Sequence, residues 1–206
     1  MRDILSFMVW WLIVSCAGLV AWPLLFRMLP QLPDRGYAVS KTCGLLLLGY
    51  AFWMFSSLGF LRLTFGGVIV AALIVAAAAS RWGQPRAALE WLRAHRAVAL
   101  VTEAVFLVGF GIWAYVRALN PEIAGTEKPM EFAFLNSILR DGVMPPRDPW
   151  LSGYAISYYY FGYVIIAILT RLSGVLPGVA FNLGVALLFG LTAVGAFGVA
   201  FNLIAV

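Results

Sequence analysis

Apolar residues in this chain fall in blocks about as long as a bilayer is thick, and that patterning leaves few folds open. A helix needs roughly 20 apolar residues to cross the hydrocarbon core. Blocks over 5–29, 42–61, 64–80, 97–118, 156–172 and 179–206 predict six such helices, with Pro23 a kink near the end of the first. Only 11% of residues are charged, against about 25% in a soluble domain. The expected fold is an all-α polytopic membrane protein of about six transmembrane helices, with an outward loop that contains an amphipathic helix. The organisation that follows is an N-terminal four-span bundle over 1–118, the loop over 119–155, and two further spans over 156–206. The N-terminal apolar run is too long and too aromatic for a cleaved signal.

The formal charge of +5 does not imply a nucleic-acid partner, because cytoplasmic arginines give a membrane protein the same balance. Six crossings put Arg27, Arg35, Lys41, Arg81, Arg86, Arg93, Arg96 and Arg171 on one face, in short connections. Arg2, Arg62, Arg117, Lys128, Arg140 and Arg147 share the other face with five acids. The positive-inside rule then places the N-terminus and the long loop outside the cell membrane. The basic segment 81–96, with Trp82, Leu89, Trp91 and Leu92, reads as an interfacial helix on anionic headgroups.

Cys16 and Cys43 lie in apolar runs and read as buried small side chains rather than a disulfide. His95 is the one histidine, in a basic loop, and no Cys/His spacing suggests a metal site. No phosphate-binding or dinucleotide fingerprint is present. The sequence names no cofactor. Small residues, Ala76–Ala79 in the third span and Gly184, Gly190, Gly195 and Gly198 in the sixth, permit close helix approach.

The chemistry-bearing residues concentrate between Thr126 and Tyr163. Thr126 is positioned to cap a helix, with Glu127 and Pro129 in its first turn. Met130, Phe134, Leu135 and Ile138 then recur at helical spacing, and Asp141-Gly142 closes the run. Glu127 and Glu131 are one turn apart. Two carboxylates in one place resist joint ionisation, which suits one of them to act as a base. A capping acid beside a solvated acid is the plainer reading. Pro145, Pro146 and Pro149 predict a rigid extended loop carrying Arg147, Asp148 and Trp150. Tyr158, Tyr159 and Tyr160 open the fifth span about 100° apart, so at least one must face the bundle.

Glu103 is a separate case, an acid inside the fourth span and so a functional hypothesis by default. A pair with a loop arginine such as Arg96 is its plainer reading. Arg117, some 21 Å along the same helix, is out of reach.

The combination of Glu103, Arg117, TEKPM at 126–130, PPRDPW at 145–150 and YYY at 158–160 resembles the YYY-domain membrane protein family (Chlor_Arch_YYY). That family is similar to the GT-C glycosyltransferases, which move a sugar from a polyprenyl-phosphate carrier to an acceptor at the outer face. The resemblance implies Glu127 as general base or metal-assisting acid and Asp148 as its helper. Glu131, Arg147, Trp150 and Tyr158–Tyr160 would bind substrate. The chain departs from the pattern in carrying Thr126 where the first acid of a pair stands. It also has three spans, rather than one, before the span that leads into the loop.

The implied partners are membrane lipid and a polyprenyl-phosphate sugar. The rival expectation is a non-catalytic accessory subunit packed against other membrane subunits through spans three and six. It is prompted by an apolar terminus, FNLIAV, that suggests a fragment or an end embedded in a larger assembly. A transporter reading rests on Glu103 alone.

Overall fold

A computed structural model describes residues 2–205, Arg2 for its backbone alone. Val206, where the sixth apolar block ends, lies outside the described residues, as does the side chain of Arg2. Among the described residues eight helices carry the fold: α1 (Arg2–Met28), α2 (Ser40–Ser57), α3 (Phe65–Trp82), α4 (Pro85–Ala94), α5 (Arg96–Leu119), α6 (Lys128–Asp141), α7 (Phe161–Ser173) and α8 (Pro177–Ile204). Pro23 sits inside a continuous α1. The carbonyl of Pro23 accepts from the Gln84 amide at 2.9 Å, tying the α3–α4 turn to α1.

Four helices, α1, α3, α5 and α8, are long and apolar enough to cross a membrane. The expected six are not all of this kind. At 18 residues α2 has Ser40, Lys41 and Thr42 at one end and Ser56 and Ser57 at the other, which dilute its apolar centre. With 13 residues and a rise of 1.5 Å each, α7 is about 20 Å long, short of the roughly 30 Å core.

Direction excludes α7 from the crossings. α5 and α8 run antiparallel. Arg117 bonds Asn182 at one end, and Gly109 approaches Gly190 midway. At the other end, the Asp34 amide in the α1–α2 turn donates to Asn202 near the end of α8, at 3.0 Å. α5 therefore ends, and α8 begins, on one side, and α6 and α7 between them make no net crossing. We call this side the loop end and the opposite side the basic end. Arg171, expected among the basic connections, instead donates to the Leu139 carbonyl of α6 at 2.7 Å and belongs to the loop end. Hydropathy marked the apolar stretch 156–172 as a span because burial inside protein and burial in lipid demand the same residues.

Close approach holds the frame together. A Cβ on Gly44 would lie 2.3 Å from the Ala17 carbonyl oxygen, so α1 and α2 touch backbone to backbone. On Gly190 it would lie 2.9 Å from the Cβ of Phe110, and the α5–α8 crossing depends on its absence. Without a hydrophobic drive between helices in lipid, such contacts supply the packing energy.

Two apolar clusters fill the bundle, one along its middle and one toward the loop end. Trp10, Val14, Phe106, Phe110 and Leu187 join α1, α5 and α8. Phe52, Val68, Leu135, Ile138 and Ile168 join α2, α3, α6 and α7. At the basic end α4 turns Ala88, Trp91 and Leu92 onto Trp22, Phe26 and Tyr37. The Trp91 ring stands 5.7 Å from Trp22 and 4.6 Å from His95. The segment divides its apolar residues: α4 spends Trp91 and Leu92 on the bundle, while Leu89 of α4 and Trp82 at the end of α3 stay exposed. Cys16 is exposed rather than buried, because it faces outward from α1 into a shallow apolar groove.

Candidate functional site

Gly125 and Thr126 both adopt left-handed backbone, at φ +78° and +51°. The chain therefore turns once more before the helix begins. Thr126 is not the cap; Glu127 occupies that position and α6 starts at Lys128. Pro129 falls in the first turn, where its missing N–H costs nothing. The Glu127 side chain makes no capping hydrogen bond, so its oxygens are not consumed by the backbone. It still benefits from the positive end of the helix dipole.

Glu131 follows one turn on, its amide donating to the Glu127 carbonyl at 3.0 Å. Burial and the nearby Glu131 carboxylate together hold the Tyr163 phenol above its ordinary value. Both acids act on Tyr158. The hydrogen bond to Tyr159, then partial burial, then the negative charge of Glu127 and Glu131 push the Tyr158 phenol up to about 12. The two acids and Tyr158 thus form one electrostatic unit at the loop end.

Phe134 is the hub beneath them. It is buried, with the rings of Trp150, Tyr158 and Tyr163 at 5.8, 5.9 and 6.1 Å. The α6 face that carries Phe134, Leu135 and Ile138 is turned into the bundle, and Gly142 in left-handed conformation ends the helix.

The three tyrosines precede α7 rather than open it as a helix. Irregular backbone that enters α7 at its N-cap, Tyr160, sends them different ways: Tyr159 is 78% exposed, whereas Tyr160 turns inward. There Trp53 donates to the Tyr160 hydroxyl at 3.0 Å. At least one tyrosine had to meet the bundle, and Tyr160 is that residue. Tyr158, Tyr159 and Tyr160 with Tyr50, Trp53 and Phe161 line a cleft of about 350 Å³.

Asp148 shapes the proline-rich segment. Its Oδ1 accepts from the amides of Trp150 and Leu151 at 2.8 and 2.9 Å, an Asx-type turn. Arg147 is held through its backbone, its amide donating to Asp141 Oδ2 at 2.8 Å and its carbonyl accepting from Ser137. Its guanidinium is left exposed. Arg147 pairs with Ala155 in an isolated antiparallel bridge, and the Met144–Pro145 peptide is cis.

Glu103 stands apart from this site, near the basic end. Lys41 of α2, not Arg96, is its ion-pair partner, and Tyr37 donates to the same oxygen at 3.0 Å. Among the described residues no cluster of three or more His, Cys, Asp or Glu could hold a metal ion.

Sequence reasoning missed Tyr163 and Trp53. Tyr163 carried a signal, three residues after Tyr160 and thus on a shared face of any helix there. Trp53 carried none, being more than a hundred residues away in the chain.

No curated protein and no solved structure matches the chain. A family model described as an uncharacterized membrane protein family, DUF2298, matches residues 47–206, from within α2 through the acid–aromatic cluster to the end of α8, and the chain belongs to that family.

Proposed function

We propose that this chain is a GT-C-like membrane protein whose loop end faces outside the cell membrane and transfers a glycosyl group from a polyprenyl-phosphate sugar. The observation that carries the reading is the Glu127 carboxylate, at a helix N-terminus yet unspent on capping, beside Glu131 and the Tyr158 phenol. In the transfer, Glu127 takes the proton of the acceptor hydroxyl as its oxygen attacks the anomeric carbon. The bond from that carbon to phosphate oxygen breaks, and the lipid phosphate leaves. Tyr158, Tyr159 and Tyr160 form an aromatic wall against which sugar or isoprenoid can lie. Asp148 helps by fixing the turn that presents Trp150, and Arg147 offers a cation to the phosphate.

The accessory-subunit alternative needs helix faces free for partners. Gly184 meets Ile166, Gly190 meets Phe110 and Gly198 meets Ala38, but Gly195 of α8 is open and Ile69, Val70 and Leu73 of α3 are exposed, so such faces exist. Transfer is the reading carried forward.

The test is Glu127→Gln in the full-length protein, assayed in native membranes with a radiolabelled polyprenyl-phosphate sugar. Loss of a general base costs about 10²–10⁴-fold, with the melting temperature unchanged. Undiminished transfer by the variant would sink the reading.

A further inference from the structure

A second cavity lies outside the acid–aromatic cluster and shares no lining residue with it. It is a cleft of about 490 Å³ at the loop end, between the start of α1, the last turns of α5 and the start of α8. That volume is within the roughly 300–1,000 Å³ of small-ligand pockets. Its walls are apolar: Ile4, Phe7, Gly111, Ala114, Val179 and Leu183. At Gly111 a Cβ would meet only the tip of Phe7, at 3.8 Å, so small residues of α5 keep the floor open.

Among the described residues one cation, Arg117, stands in this wall. Arg117 Nε and Nη2 both donate to Asn182 Oδ1, at 2.8 and 2.6 Å, and Nη2 also donates to the Glu122 carbonyl at 2.9 Å. Asn182 is fixed in turn by the carbonyls of Pro121 and Gly178, each at 3.0 Å. All of these partners are neutral. Among the described residues Arg117 makes no ion pair, although Asp3 lines the same cleft. The guanidinium is therefore oriented but not neutralised, and no hydrogen bond engages Nη1. A fork of this kind suits a phosphate.

We propose that this cleft binds an anionic phospholipid, its phosphate on Arg117 and an acyl chain along α1, α5 and α8. The site does not depend on the transferase reading. Charge complementarity selects the headgroup, and the apolar walls select a lipid over a free anion.

The test compares phosphatidylglycerol with phosphatidylcholine of equal chain length, binding to the full-length protein in mild detergent by native mass spectrometry. Phosphatidylglycerol should be retained at least about tenfold better by the unmodified protein. Arg117→Gln should abolish that preference, and Arg117→Lys should keep part of it. Gly111→Leu, which fills the cleft and leaves Arg117 in place, should lose the bound phosphatidylglycerol with the melting temperature held. Equal binding of the two lipids by the unmodified protein, or an unchanged preference in Arg117→Gln or Gly111→Leu, would overturn the proposal. So would displacement of phosphatidylglycerol by a lower concentration of a polyprenyl phosphate.

Discussion

The ammonium of Lys41 rests on Oε1 of Glu103, joining α2 to α5 by an ion pair whose cation is 4% exposed and whose acid is 29% exposed. The same ammonium lies 5.0 Å above the Phe106 ring, and the Tyr37 hydroxyl completes the triad. The lysine is thus enclosed by one acid and two aromatic rings. Such a pair contributes little over an apolar replacement, but losing one partner strands a charge.

Lys41→Met should accordingly destabilise the protein by ~3–5 kcal/mol, seen as a lowered melting midpoint in detergent. The double variant Lys41→Met with Glu103→Leu should recover most of the loss. A single variant that melts like the unmodified protein would show that the pair carries no structural weight.

Two glycines make opposite predictions. Gly44→Ala places a methyl 2.3 Å from the Ala17 carbonyl oxygen, a clash with backbone that no rotamer relieves. It should cost ~1–3 kcal/mol or more. Gly195→Ala meets nothing within 4 Å and should be neutral, or better by up to ~1 kcal/mol from helix propensity. Thermal melts of the two variants side by side decide this.

The Tyr158 phenol, raised to about 12, should titrate late. The difference in absorbance at 295 nm between the unmodified protein and Tyr158→Phe should rise near pH 12, not near the ordinary value of about 10. Tyr159→Phe removes the largest cause and should bring the titration down. Because the folded state holds this proton more tightly, its contribution to stability is complete below about pH 10. That contribution is lost as pH rises through about 12. A Tyr158 signal at the ordinary value would refute the coupling.

Asp148→Ala frees the amides of Trp150 and Leu151, for a cost of ~1 kcal/mol confined to this exposed turn. Limited proteolysis should then cut between 149 and 155 faster, while Asp148→Asn, which keeps an acceptor, should resist. Equal cutting of all three proteins would mean that the turn does not depend on Asp148.

Composition and block length were enough to read the helical class, the membrane setting and the loop that holds the acids and aromatics. The start and end of α6 were legible to within a few residues, since Pro129 and Gly142 act locally. What was not legible is non-local. Hydropathy could not distinguish α7, sheltered by α6, α2 and α8, from a helix facing lipid. It could not choose Lys41 over Arg96 as the partner of Glu103, because a separation of 62 positions in sequence says nothing about adjacency. The cap at Glu127 was missed because two consecutive left-handed residues, Gly125 and Thr126, shift the helix start, and threonine seldom adopts that conformation.

Arg117 and Asn182 are 65 positions apart in sequence, yet one side-chain clasp joins them. Everything between, α6, the proline segment, the tyrosines and α7, leaves the α5–α8 pair and returns to it beside that clasp. The piece does not hang free between those ends: Leu135, Ile138 and Ile168 seat it on Phe52 of α2 and Val68 of α3. One cut in the exposed turn Leu151–Tyr154 would break the chain without parting it, because α5 and α8 hold the two fragments as one particle.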